Sequence, residues 1–513
     1  MRTYKKIITI TFSATLLALL LPLGACSDLL DQKPQGEWTN VEAGTFETDV
    51  FSLYAKIRGY NITSGNGPLA IHNFRSEDVE KGSTDGDGSA FAKMYDDFEY
   101  NASNGSLDSY WTDNYSMIHL ANKVLDDIKD FEAEGNELGD GEYTSRAEAS
   151  FFRAFAYFNL VRAFGEVPIY TKRLNEANDA NNPKSKIEEI YKLIDEDLTA
   201  AAEKLPPKWE VKYIGRLTVG AAKSLHARTH MMRSNWKEMY DLSKEVILTG
   251  VYDLNTPFNK VFREDGENCS ESVFELQCTA TASQPADNKI GSQYAAIQGV
   301  RGSGDWNLGW GWHTPTELLA QAFEPNDPRK DETLLYFGRQ GDPLEDLPSN
   351  KPWGEKPIAF KDVTAKYFNK KAYTNPEMRK TYSKGGYWVN IRIIRYSDVL
   401  LMAAEAANEL GNTADAIDYL EQVRFRARGG DNTILPKVTT TDQEELRQAI
   451  RHERRIELAM EWDRFYDLVR WGVARDVLHA AGKTKYADKH KYYPLPQNQI
   501  DKSNGVLIQN PNY

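Results

Sequence analysis

The chain has 513 residues, of which 41% are hydrophobic, 27% charged and 12% aromatic, with a formal net charge of −13. That length supports a large core or two closely packed domains. The acidic balance argues against nucleic acid and anionic lipid surfaces as partners held by charge, and three cysteines, Cys26, Cys269 and Cys278, make no zinc-type cluster. Cys269 and Cys278 could pair across a short loop in an exported protein or remain free thiols, and both alternatives stand.

In chain order, Arg2, Lys5 and Lys6 precede an apolar stretch from Ile7 to Leu21. It is too short and too abruptly ended for a spanning helix. It closes on Leu23-Gly24-Ala25-Cys26, which resembles the lipobox of bacterial lipoprotein signal peptides. The resemblance implies removal of residues 1–25, a diacylglycerol on Cys26 and an acylated new N-terminus, so that several chains anchor the protein. Loss of those three cations with no acids takes the net charge to −16. A polar leader follows, residues 26–37, and residues 38–513 read as one unit.

Apolar residues at helical spacing predict helices over Thr39 to Arg58, Leu107 to Phe131 and Glu142 to Phe164, the last stopping at Gly165. Thr218 to Thr249 and Tyr396 to Arg428 read as helix pairs, turning near Ser234-Asn235 and Gly411-Asn412. Ala403, Ala404, Ala407 and Ala416 allow the close approach found in tetratricopeptide repeats, although no strict repeat is present. Asp442 to Leu478 supplies a further pair, broken near Glu461-Trp462. Residues 251–390 and 59–106 are rich in Gly, Pro, Asn and aromatics with little helical period, and they are too long to be simple connections. The fold class expected is mainly α: a helical scaffold (38–250 and 391–513) carrying an irregular, aromatic-rich cap.

Four segments resemble the SusD/RagB family of outer-membrane nutrient-binding lipoproteins. They are Ala147-Glu148-Ala149-Ser150-Phe151-Phe152-Arg153-Ala154 with Phe164-Gly165-Glu166-Val167-Pro168, the helix from Arg395 to Ala406, the charged stretch from Glu453 to Trp471, and the end from Pro494 to Tyr513. The resemblance implies a SusD-like fold with tetratricopeptide-like helix pairs. It also implies a non-catalytic surface receptor for oligosaccharide, partnered with a SusC-like TonB-dependent transporter and anchored by lipid in the outer membrane, facing the medium. A peptide-binding or protein-binding scaffold is the alternative, and a glycosidase a more distant one.

Glu453, Glu457, Glu461 and Arg464 share one helix face; paired carboxylates suit a glycosidase, but the interleaved guanidiniums point to structural ion pairs. His452-Glu453 begins like a zincin motif, but Ile456 stands where the second histidine would be. His226 and His230 lack a third ligand in the sequence, and no nucleophile elbow, phosphate loop or dinucleotide fingerprint is present. Trp306, Trp310 and Trp312 share parity if the backbone is extended, giving rings for sugar faces with Asp305 and Asn307 for hydroxyls. Trp306, Trp310, Asp305, Tyr294, Arg75, Asp78 and Asn73 are the candidate glycan contacts, with Trp312 assigned to the core. Asp85-Gly86-Asp87-Gly88 offers a structural calcium loop or a plain turn. No catalytic residue, no resident metal and no other cofactor is expected.

Overall fold

The computed structural model describes residues 46–88, 91–174, 180–337, 353 and 362–513, all within one unit, Glu42–Tyr513. The signal, Cys26, the leader and Thr39 to Thr45 lie outside the described residues. Ten longer helices carry the fold: α1 (Glu47–Ile57), α2 (Asn66–Asn73), α3 (Gly105–Ala133), α4 (Asp140–Phe164), α5 (Ile187–Lys204), α6 (Val219–Met232), α7 (Trp236–Leu248), α8 (Tyr396–Glu409), α9 (Thr413–Arg428) and α10 (Gln443–Glu457). Each from α3 to α9 packs on the next, and α10 packs on α8 and α9.

Local chemistry sets the boundaries. Asn104 caps α3 by accepting from Ser106 N and Leu107 N, and α4 stops at Gly165, whose φ of 75° suits glycine. In α8, Ala403, Ala404, Ala406 and Ala407 are all buried, and such small side chains permit close packing of α7 and α9. The two helix hairpins turn where the sequence places them, α6 to α7 through residues 233–235 and α8 to α9 through residues 410–412. Helix α5 is absent from the sequence reading above, although Ile190, Leu193, Ile194, Leu198 and Ala201 form its buried stripe.

The irregular regions hold more order than their composition suggests. Three two-stranded antiparallel ladders occur: β1 (Val79–Gly82) with β3 (Trp312–Pro315), β2 (Ser272–Leu276) with β6 (Ile391–Arg395), and β4 (Leu334–Tyr336) with β5 (Tyr367–Asn369). The first joins the two loop-rich stretches, pairing Val79 with Pro315 and Gly82 with Trp312. Helix α2, inside 59–106, is buried along nearly its whole length. Cys269 and Cys278 stand as free thiols, and burial pushes the Cys278 thiol up to about 11.

Candidate functional site

The chain leaves α1 at Gly59 and enters a wide π-helical turn, Tyr60–Ser64. The amides of Ile62, Thr63 and Ser64 all donate to Gly59 O, at 3.1, 3.2 and 3.4 Å. Such turns are frequent at functional sites, and this one carries Tyr60 and Asn61 to the wall of a groove of about 300 Å³. Gly65 closes the turn from below: a Cβ there would stand 2.1 Å from Tyr60 O and 2.7 Å from its ring. The start of α2 contributes Asn66 and Gly67, the first turns of α3 contribute Gly105, Ser106 and Ser109, and the opposite wall is Phe91, Trp310 and Trp312.

Three of these rings are open to solvent: Tyr60 is 39%, Phe91 49% and Trp310 43% exposed. Large aromatics are normally buried, so three around one groove are informative. Trp312 is buried behind Phe91, ring centroids 6.2 Å apart. Trp310 is fixed by its backbone, whose N–H donates to Ala296 O at 2.9 Å. Asn61 Nδ2 donates to Asp113 Oδ2 at 2.8 Å, which leaves the Asn61 carbonyl available as an acceptor. Asn66 is 7% exposed, and its Oδ1 is buried without a hydrogen-bond partner among the described residues. A buried amide oxygen left unpaired is costly.

The residues selected from sequence separate into two groups. Trp310 and Asp305 are at the surface, and Trp310 lines the groove. The other five are buried among the described residues. Trp306 is 2% exposed and packs edge-on to Phe337 at 5.0 Å. The assumed shared parity fails because Gly304–Trp306 forms a 3₁₀ turn and Gly311 has φ of 70°, so the chain is not extended through the row. Tyr294 is buried and stacked on Trp462, 6.2 Å away at 12°, at the head of the short helix Tyr294–Gln298 that holds Trp310 through Ala296 O; burial raises its hydroxyl to about 12. Arg75 lies between the rings of Phe465 at 3.8 Å and Tyr493 at 4.0 Å. Asp78 is buried and accepts from Arg455 Nε at 3.1 Å through both oxygens. Asn73 is buried, its carbonyl accepting from Ser76. Tyr60, Phe91, Asn61 and Asn66 are absent from the sequence selection. Their signal is aromatic or amide residues beside glycine and serine in a stretch without apolar period.

Comparison with known proteins bears on this arrangement. Residues 270–513 match the model described as "SusD family", and residues 28–231 the model described as "Starch-binding associating with outer membrane". The chain belongs to the SusD family. SusD-like protein P2 of Formosa agariphila is 26% identical over 98% of this chain and 99% of its own. A structure described as a laminarin binding SusD-like protein superposes with a TM-score of 0.74 at 25% identity, over 91% of this chain and 99% of that one. Surface glycan-binding protein A from Bacteroides thetaiotaomicron, solved in complex with laminarihexaose, gives 0.73 at 23% identity, over 91% and 99%.

The charged stretch that resembles the SusD family is a sealed lattice. Glu453 and Glu457 are wholly buried. Arg329 reaches Glu453 and Glu457, Arg424 reaches Glu453 at 2.8 Å, and Arg395 and Arg426 reach Glu457 at 2.9 and 2.6 Å. Burial works against the Glu457 carboxylate, but Arg426, Arg395, Arg329 and Lys371 outweigh it and hold the carboxyl well below the usual range. Burial lowers Lys371 to about 8 against the pull of Glu461. Glu453 and Glu457 are committed to cations.

The remaining clusters also carry internal cations. In the turn Asp85-Gly86-Asp87-Gly88, Lys81 Nζ donates to the carbonyls of Gly82, Thr84 and Asp87 at 3.0, 2.9 and 2.9 Å. A calcium ion there would have to displace a tethered ammonium. Asp195 supplies the third ligand atom that the sequence lacked beside His226 and His230, all within 4.8 Å. Arg233, however, grips Asp195 at 2.8 and 2.7 Å, and burial, then Arg233 and His226, lower His230 to about 4. A second cleft, of about 400 Å³, has no aromatic lining; Lys93 meets Asp97 at 3.0 Å there and Lys483 meets Asp96 at 3.2 Å.

Proposed function

We propose that the protein is a non-catalytic, cell-surface glycan-binding lipoprotein that captures oligosaccharide at the Tyr60–Phe91–Trp310 groove. The observation that carries this reading is the set of three exposed rings around a groove containing the unpaired buried amide of Asn66. Flat C–H faces of sugars stack on such rings, and their hydroxyls donate to the carbonyl of Asn61. The laminarin-binding relative of the same fold adds support. Commitment of the acids on α10 to guanidiniums speaks against a glycosidase.

The finer reading follows the SusD resemblance. Residues 1–25 are a signal, Cys26 carries the lipid, residues 26–37 form a leader, and residues 38–513 are one receptor unit. No described helix is long and apolar enough to cross a membrane, and the description of the matched model speaks of association with the outer membrane. The receptor then faces the medium and passes its cargo to a SusC-like TonB-dependent transporter. Asp305, exposed and five residues before Trp310 in the chain, is a further candidate polar contact.

Isothermal titration of the purified protein against a panel of oligosaccharides tests the binding reading. Saturable binding is expected, weakened at least tenfold by Trp310→Ala, with no reducing ends released on long incubation. Absence of binding across the panel, or steady release of reducing ends, would overturn it. Recovery of a large β-barrel transporter with the tagged protein from outer membranes, and loss of membrane attachment in Cys26→Ala, test the partner and the anchor.

A further inference from the structure

Resting on the reading of Cys26 as a lipid anchor, we infer that the turn from Trp209 to Ile214 is a second membrane contact, inserted shallowly into the bilayer surface. Val211 is 86% exposed, the most exposed large apolar side chain among the described residues, and Ile214 is 48% exposed. Both belong to the connection from α5 to α6, Val211 opening the 3₁₀ turn Val211–Tyr213 and Ile214 following it. The turn is braced. Tyr213 N donates to Glu210 O at 2.9 Å, Ile214 N to Val211 O at 3.2 Å and Arg216 N to Tyr213 O at 3.2 Å. Trp209 and Tyr213 are half-buried, with the Arg216 guanidinium 4.3 Å from the Trp209 ring and 5.5 Å from the Tyr213 ring. Trp209 Nε1 donates to Leu217 O at 2.7 Å. Single exposed aliphatics are ordinary. Two on one ordered turn, ringed by a tryptophan, a tyrosine and the exposed Lys208 and Lys212, have the chemistry of an interfacial membrane contact.

Its place in the fold points to the occupant. Arg216, which braces the turn, pairs with Glu47 in the first turn of α1 at 2.6 Å and with Glu148 of α4 at 2.7 Å. The turn therefore stands beside the start of α1, from which the chain leads back to Cys26. The connection from Cys26 to Phe46 can span at most about 70 Å, so a lipid on Cys26 holds the protein at the membrane without fixing which side faces it. Tethering raises the effective concentration of the bilayer to about the millimolar range, and a weak second contact then suffices to orient the body. The patch is small for a protein partner, because a stable interface takes about 20–30 residues a side, whereas shallow insertion needs only a few apolar side chains. Charge does not hold it: Lys212 meets Glu210 at 3.4 Å, and a chain of net charge −13 gains little from anionic lipid.

The experiment places the full-length lipidated protein on uncharged phosphatidylcholine vesicles and reads backbone hydrogen exchange. Relative to the unlipidated Cys26→Ala chain in buffer, the amides of residues 209–214 should exchange at least about fivefold more slowly. The slowing should persist between about 20 and 500 mM salt, because apolar insertion is not screened. The double variant Val211→Asp/Ile214→Asp should lose the slowing while its lipid still holds it on the vesicle. Its melting temperature should stay within about 2 °C of the parent, since both side chains are exposed. Unchanged exchange at residues 209–214 on vesicles, or slowing that survives both aspartates, would overturn the inference and leave the anchor reading intact. Loss of a co-purifying protein in the double variant, without slowing on vesicles in the parent, would assign the turn to that protein and overturn the inference as well. A mature chain whose mass shows no lipid on Cys26 would overturn the anchor reading and this inference with it.

Discussion

Helix α10 and the groove beside Trp310 both gather polar groups, and they treat them in opposite ways. On α10, Glu453 and Glu457 are fully buried and each meets at least two guanidiniums. In the groove no ion pair forms among the lining residues, and one buried amide oxygen has no partner among the described residues. Carboxylates each paired with two or more guanidiniums specify a fold and leave little for a ligand. Rings open to solvent around a groove leave flat faces that a ligand can cover. In this molecule, density of charge marks the scaffold and exposure of aromatic rings marks the groove.

The contrast can be broken from either side. Glu457→Ala leaves Arg395 and Arg426 short of a counter-charge, and removing one partner of a buried pair costs about 3–5 kcal/mol; chemical denaturation should show that loss, with glycan affinity unchanged in the fraction still folded. Trp306→Ala, cutting a packed indole from beside Phe337, should cost about 3–5 kcal/mol in the same assay. If it instead abolished binding at unchanged stability, the assignment of Trp306 to the core would be wrong. Gly65→Ala forces a methyl against Tyr60 and should cost about 1–3 kcal/mol. A crystal structure of that variant should show the Tyr60 ring displaced, with weakened glycan binding.

Phe91→Ala has the smaller signature expected of an open wall: a tenfold weaker complex, about 1.4 kcal/mol, and a melting temperature within about 1 °C of the parent. The last distinction is in pH. Glu457 is depressed below its ordinary value of 4.5, so its contribution to stability is complete above that value and is lost as pH falls below it. Melting temperature should therefore drop on acidification below about pH 4.5. Glycan affinity between pH 5 and 8 should stay flat, because the described lining holds no carboxylate and no imidazole. A bell-shaped binding profile in that range would move the site elsewhere.

Much of the scaffold is legible in the sequence because its helices obey one period. The stripe of α3 and the alanines of α8 are written in residue spacing, and the α6–α7 and α8–α9 turns fall at Ser234-Asn235 and Gly411-Asn412. The groove is less legible because it assembles from residues far apart in the chain. Tyr60, Phe91 and Trp310 are brought together by the β1–β3 ladder and the π-helical turn, neither of which leaves a periodic trace. Reading Trp306, Trp310 and Trp312 by parity fails at two places, the 3₁₀ turn Gly304–Trp306 and the positive φ of Gly311. Arg75 and Asp78 look like ligand contacts for the same reason that they make good anchors: both are polar residues in an otherwise irregular stretch.

Arg75 has a consequence in time as well as in space. Its guanidinium lies between Phe465 and Tyr493 and donates to His490 O, 415 residues along the chain. During synthesis, early segments wait for later ones, and a charge seated among aromatic rings is tolerable only once those rings arrive. The segment around Arg75 therefore cannot finish folding until Phe465, His490 and Tyr493 are in place. That dependence makes the segment from Phe465 to Tyr493 the clasp that closes the loop after α2.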